Sequence, residues 1–224
     1  MTPTIARPLG ERTRREPRRR ASFAEATEAL ILDDGRRLLL RPIGREDREG
    51  LAALFARLTP TSRHRRFLTP KRELTARELA FFTDIDHVEH EAIVALDQHD
   101  GSIVGVARYV DAGDRAGVAE LAVVVADDLQ RLGIGSALVR RAVRRARANG
   151  FALMTATTLR ENRPASALLR RLGFRARASS GKEIEFELRL EPAPALDSNR
   201  PIQPSPHDPS VATPPEPLHW TTRN

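Results

Sequence analysis

Between residues 26 and 190 the spacing of apolar positions changes several times, and each change predicts an element. Arg37 to Ile43, read Arg-Leu-Leu-Leu-Arg-Pro-Ile, is a strand-length run closed by Pro42. The mixed stretch before it, Ala21 to Leu32, fits a short helix or a short strand. Leu51, Leu54, Phe55 and Leu58 then share one face of a helix over residues 45–58, and Thr59-Pro60 sets its end. Helix continues with breaks through residues 61–82, its second part opened by a Thr75 cap. Runs at 91–96 and 101–110 predict two strands joined by a turn at Asp97 to Gly101, and Ala112-Gly113-Asp114 turns the chain into a strand over 119–126.

The second half alternates strand and helix. Leu138, Val139, Ala142, Val143 and Ala146 line one face of a helix over 136–149, with Gly150 as its C-cap and residues 151–157 as the next strand. Asn162 caps another helix whose first turn holds Pro164, where a missing N–H costs little, and Gly173 ends it. Residues 174–178 and 182–190 form a closing hairpin, in which Ile184, Phe186 and Leu188 alternate with Glu183, Glu185 and Glu187. Early strands, a strand-helix-strand crossover and a final hairpin predict an α/β fold: a mixed, mostly antiparallel central sheet with helices on both faces.

At the centre of the crossover lies Gln130-Arg131-Leu132-Gly133-Ile134-Gly135-Ser136-Ala137, between the β-branched run Leu121 to Val125 and the 136–149 helix. Two glycines at a strand-to-helix turn let several backbone N–H groups converge, and the helix adds the positive end of its dipole. The third position of a dinucleotide-binding Gly-x-Gly-x-x-Gly is Leu138, and the Gly-Lys-Ser/Thr of a nucleotide loop is absent. What remains, Gln-x-x-Gly-x-Gly after a Val-rich strand, resembles the pyrophosphate-binding motif of the GNAT superfamily of acyl-CoA-dependent N-acetyltransferases. The segment 159–174, with Glu161-Asn162-Arg163, Ala165, Leu168 and Leu172-Gly173-Phe174, resembles that family's next block. Upstream, Arg41-Pro42-Ile43 with Glu46-Asp47, Phe55, Leu58, Ser62, Arg66-Phe67, Phe82-Thr83, Ile85-Asp86 and Ala92-Ile93-Val94-Ala95 is similar to the bacterial Pat-type protein lysine acetyltransferases.

That resemblance implies the GNAT fold and a site. Acetyl-CoA would be held by the backbone of Arg131, Leu132, Gly133, Ile134, Gly135, Ser136 and Ala137, with Gln130 and Arg131 as side-chain candidates. Its pantetheine arm would run along Val123, Val124 and Val125, and Asn162 would stand beside it. Asn162 equally fits a plain helix N-cap. Glu120 sits where Pat-type enzymes carry a catalytic glutamate. An amine of pKa ~10.4 is almost wholly protonated at neutral pH, so a carboxylate raised by aliphatic surroundings suits the role of base. The competing reading of Glu120 is a cross-strand pair with Arg108. Counting from Asn162, the position often held by a tyrosine acid is Leu169, and the single Tyr109 lies elsewhere. Without cysteine in the chain, the amine is expected to attack the thioester directly in a ternary complex. The acceptor implied is a protein lysine, for example on an acyl-CoA synthetase; a small-molecule amine is the alternative within the same chemistry.

Charge changes this picture little. The net charge is +7, but residues 1–20 alone hold seven arginines against two glutamates. Residues 1–25 are expected to be a disordered basic tail and residues 191–224, with nine prolines, a disordered extended one, leaving 26–190 as the acetyltransferase domain. A nucleic-acid binder working through the basic tail, or a non-catalytic acyl-CoA sensor, are the readings from other classes. No apolar run approaches a membrane span and no secretory leader is recognisable, so a cytoplasmic protein is expected. The cluster Asp84, Asp86, His87, Glu89, His90 and Glu91 lacks metal-ligand spacing, so a loop of solvated polar residues and no bound metal are expected there.

Overall fold

The computed structural model describes residues 27–177 and 181–190, so the expectations for both tails lie outside the described residues. Eight strands form one sheet in the order β1-β2-β3-β4-β5-β6-β8-β7. They are β1 (Glu28–Ile31), β2 (Arg37–Pro42), β3 (His90–Asp97), β4 (Ile103–Asp111), β5 (Val118–Val125), β6 (Leu153–Leu159), β7 (Arg175–Ala176) and β8 (Glu183–Arg189). Every neighbouring pair is antiparallel except β5 and β6, whose connection crosses over through a helix. The mixed, mostly antiparallel sheet read from the sequence is therefore present. The ambiguous segment before Arg37 resolves into β1, an edge strand held by β2.

Five helices cover the two faces. On one side α1 (Arg48–Arg57), α2 (Pro60–Phe67) and α3 (Ala76–Thr83) enclose a core of Leu51, Leu54, Phe55, Phe82, Val94 and Val106. On the other, α4 (Ile134–Ala148) and α5 (Arg163–Arg171) cover Ala107, Tyr109, Leu121, Met154 and Phe186. The helix expected over residues 45–58 begins instead with a 3-10 turn at Arg45–Asp47, where Asp47 accepts the Gly44 N–H at 2.8 Å and pairs with Arg41 at 2.7 Å. Thr75 caps α3 as expected, exchanging hydrogen bonds with Glu78 in a capping box.

Alternation along β4 and β5 decides what faces which layer. Ala107 and Tyr109 on β4, with Ala119 and Leu121 on β5, point to the α4 side; Val106 and Val124 point to the α1–α3 side. Glu120 lies between Ala119 and Leu121 and shares the second face. Close packing of α4 on this sheet depends on Gly105. A Cβ there would stand 3.1 Å from Leu138 Cδ1 and 3.2 Å from the Val124 carbonyl, tighter than most contacts tolerate.

The segment expected to be a solvated loop is different. Asp86 Oδ1 accepts the N–H groups of Val88, Glu89 and His90 at 2.9 to 3.0 Å and so shapes the turn into β3. Glu91 is fully buried, bound to Arg145 Nε of α4 at 2.6 Å and to His87 Nδ1 at 2.8 Å. The reading failed because the polar run straddles a strand start. Arg145, the partner on α4, comes 54 residues later in the chain.

Candidate active site

The β5–β6 ladder is short. Val118 pairs with Leu153, Ala119 with Met154 and Glu120 with Thr155, and there the register stops. β6 continues to Leu159 beside β8, whereas β5 continues to Val125 beside β4. The two strands thus fork after Glu120. Among the described residues no strand pairs with the β6 side of Leu121 to Val125, leaving an open backbone edge within the sheet.

The mouth of this fork is closed by the loop into α4. Arg131 (φ 69°) and Gly133 (φ 87°) are both left-handed, and Gly133 is the N-cap of α4. That conformation suits glycine and is uncommon for arginine. The helix starts at Ile134, two residues before the expected Ser136, because the glycine-bearing turn itself forms its first residues. The first helical return bond from this turn runs from the Ala137 N–H to the Gly133 carbonyl at 3.1 Å. Among the described residues the N–H groups of Arg131 to Ser136 have no intramolecular partner. Half a dozen free donors at the positive end of a fifteen-residue helix make an anion-binding concavity.

The other expected residues spread around this centre. Ile134 is buried, Leu132, Gly135, Ser136 and Ala137 are half-buried, and Gln130, Arg131 and Gly133 are exposed. The Gln130 amide nitrogen is turned back onto its own loop, 3.3 Å from the Val125 carbonyl and 3.1 Å from Asp127 Oδ1. Val123 and Val125 lean toward the α4 face and Val124 toward α1–α3. Near Gly135 the three elements converge. A Cβ there would meet Leu168 of α5 at 3.4 Å and Val125 of β5 at 3.8 Å. Asn162 caps α5, its Oδ1 accepting the Ala165 N–H at 3.3 Å. Leu169 is buried in the core and Tyr109 is fully buried on the α4 face, its hydroxyl accepting from Asn149 Nδ2 at 2.7 Å. Burial raises the Tyr109 phenol well above its ordinary pKa, and its ring lies in the core on the α4 side of the sheet, away from the face of Glu120.

Glu120 occupies the point where the strands part. Burial among strand neighbours pushes its carboxyl up to about 7, against the pull of Arg66 on α2, while Glu185 and Asp114 push the same way as burial. Arg66 is itself lowered to about 10 by burial. Arg108 is not the partner of Glu120 across the strands, since Val110 is. Its buried guanidinium lies 4.4 Å over the Phe82 ring, donates to the Phe82 carbonyl at 3.2 Å and meets His90 Nε2 at 2.9 Å. The ladder reading therefore gives way to an aromatic and helix-end site for Arg108.

Two residues of this neighbourhood escaped the sequence reading of the site. Arg66 appeared only as part of a resemblance, and Asp127 not at all. Asp127 follows β5 and accepts the Thr59 N–H at 2.8 Å, the Ser62 hydroxyl and Gln130 Nε2 at 3.1 Å. Thr59 and Ser62 open α2, and a link across more than sixty residues leaves no local pattern.

The site thus combines an open strand edge, a donor-lined turn and a carboxylate raised toward neutrality, and comparison with known proteins gives the family of the chain. The chain belongs to the acetyltransferase (GNAT) family, whose model matches residues 54–174. It is 43% identical over 122 residues to Acetyltransferase PA5475 of Pseudomonas aeruginosa; the match spans 54% of this chain and 65% of the relative's length. The GNAT domain of S. lividans PAT superposes with a TM-score of 0.68 at 26% identity, covering 73% of this chain and 97% of that domain. The yncA structure from Salmonella typhimurium, described with its cofactor acetyl-CoA, superposes at 0.59 with 20% identity over 72% and 98% of the two chains, a likeness of fold.

Proposed function

We propose that this chain transfers the acetyl group of acetyl-CoA to the side-chain amine of a protein lysine, by direct attack in a ternary complex. The observation that carries the transfer is Glu120, with its carboxyl at about 7 at the fork of β5 and β6, from which the open β5 edge leads toward a turn of unpartnered N–H groups. The diphosphate would rest on Arg131 to Ala137, and the pantetheine arm would pair with the open edge at Val123 to Val125. Asn162, the N-cap of α5, would stand beside this track. The lysine acceptor rests on the likeness to the S. lividans PAT domain and to the Pat-type motifs upstream. A cytoplasmic acyl-CoA synthetase is one such acceptor.

Each step asks something of a named group. Glu120 takes a proton from the incoming ammonium, directly or through a water, which frees the nitrogen lone pair. The nitrogen attacks the thioester carbonyl carbon, and a backbone N–H of the open β5 edge stabilises the oxyanion. The N–C bond forms first, giving the tetrahedral oxyanion, whose collapse breaks the C–S bond and expels coenzyme A as a thiolate; the proton still carried by the nitrogen passes to that thiolate or to water, leaving the amide. With an ordinary thiol pKa near ~8.5 the thiolate departs without an enzyme acid, consistent with a buried Leu169.

The test is direct. Purified protein incubated with radiolabelled acetyl-CoA and a lysate of its source organism should label protein lysines, identified by mass spectrometry. A polyamine and amino-acid panel run in parallel separates the small-molecule alternative. Label on small amines and on no protein would overturn the lysine acceptor, and no heat on titrating acetyl-CoA would overturn the whole reading.

A further inference from the structure

We propose that Arg66 of α2 and Arg108 of β4 receive a carboxylate of the acceptor, in a cavity on the face of the sheet that carries Glu120. The cavity lies beneath α1–α3 and holds about 330 Å³ of space, part of it open to solvent. Phe67 of α2, Phe82 of α3, Val106 of β4, Val124 of β5 and apolar side chains of α1 line it. Its two polar side chains are Arg66 and Arg108.

Neither guanidinium is matched by an acid. Arg66 makes no hydrogen bond or ion pair among the described residues, and its guanidinium carbon lies 4.9 Å over the Phe67 ring. Arg108 is 1% exposed and spends Nη1 on the Phe82 carbonyl and His90 Nε2, while its Nε has no partner. Glu120 acts on Arg66 through space, without a hydrogen bond between them. A guanidinium keeps its proton inside proteins, so both charges persist. Two cations in apolar surroundings without a bound counter-charge are costly, and an anion in the cavity removes that cost. A planar carboxylate matches the guanidinium fork. The apolar walls suit a short hydrocarbon body better than a phosphate with its polar shell.

Register ties this cavity to the chemistry. Glu120 pairs with Val110, so Arg108 is its diagonal neighbour on the same face, with backbones roughly 7 to 8 Å apart. Val124 belongs to the stretch of β5 whose other edge is open. An acceptor that lays its amine on Glu120 therefore brings neighbouring atoms within reach of the guanidinium groups. It carries an acid group close to the reacting amine, either an acidic side chain beside a protein lysine or the carboxylate of a free amino acid.

The acceptor role rests on the proposed transfer, but the site itself is tested without turnover. Propionate is titrated into the full chain in chloride-free buffer, with the neutral isostere propionamide as control, and the methyl signals of Val106 and Val124 are followed by NMR. Propionate should move both saturably, and propionamide should bind at least about tenfold more weakly. Arg66→Gln and Arg108→Met should each weaken propionate at least about tenfold; if Arg108→Met does not fold, Arg66→Gln carries the test. Equal binding of acid and amide, or binding that neither variant changes, overturns the site. The acceptor role is read from KM in two pairs: a peptide with glutamate beside the acceptor lysine against its glutamine twin, and free lysine against lysine amide. A lower KM for the acid member of the first pair, lost in Arg66→Gln, assigns the carboxylate to a protein segment. The same result in the second pair assigns it to a free amino acid, and no preference in either overturns the acceptor role. Transfer without propionate binding removes this inference alone; propionate binding without transfer removes the transfer reading and leaves the carboxylate site standing.

Discussion

Glu120 of β5 and Thr155 of β6 are the last parallel pair before the two strands separate, and the glutamate carries the raised pKa of the site. A base works when deprotonated, so kcat/KM should climb as pH passes about 7, the value set by burial. Glu120→Gln should lose that limb and lower kcat by about 10²- to 10⁴-fold. A pH profile unchanged by the substitution would dismiss Glu120 as base.

The same residue bears on stability. Its folded value of about 7 exceeds the ordinary 4.5, so its contribution is fully present below 4.5 and is lost as pH rises through 7. Glu120→Gln stays neutral throughout. It should therefore exceed the wild type by about 2 kcal/mol at pH 8.5, and the two should converge at pH 4. Urea unfolding at both pH values checks this, and parallel offsets would count against it.

Gly133 adopts a φ of 87° at the N-cap of α4. Gly133→Ala should cost about 1 to 2 kcal/mol of stability and weaken acetyl-CoA binding about tenfold by turning donors away from the diphosphate. Calorimetric titration reads the second effect; unchanged affinity would place the diphosphate elsewhere.

Asn162 makes the cap hydrogen bond to Ala165 N–H, and its cofactor role is separable from it. Asn162→Ala should lose about 1 kcal/mol, whereas Asn162→Ser should keep most of the stability. If the side-chain amide also serves the donor, both variants raise KM for acetyl-CoA. A normal KM in Asn162→Ser leaves only the cap.

Glu91 and Arg145 tie β3 to α4 through a carboxylate with no exposed surface. Glu91→Gln should destabilise by about 2 to 3 kcal/mol, because the partly buried Arg145 guanidinium and His87 then face a neutral amide. Part of that loss should return in Glu91→Gln with Arg145→Met. Urea midpoints measure both, and an unchanged midpoint in the single variant would show the pair to be dispensable.

Local chemistry made much of this legible in the sequence. The 3.6-residue spacing of Leu138, Val139, Ala142 and Ala146, the caps at Thr75 and Asn162 and the alternation in β8 all act within a few residues, and each stands in the structure. Glu120 was singled out by likeness of its strand, and the structure adds its place at the end of the β5–β6 pairing. What escaped depends on distant pairing. β1 is defined by β2, the fork after Glu120 by where β6 turns toward β8, and the burial of Glu91 by a helix whose Arg145 comes 54 residues on. Arg108 and Glu120 share a face, yet register gives Glu120 to Val110.

The abrupt end of the β5–β6 ladder leaves backbone donors and acceptors of β5 without a strand partner on that side beyond Glu120, among the described residues. A thioester donor pairing there, as proposed, would act as a temporary strand and stiffen the scaffold that meets the acceptor. The expectation is an ordered reaction in which the thioester binds first; product-inhibition kinetics showing random binding would count against it.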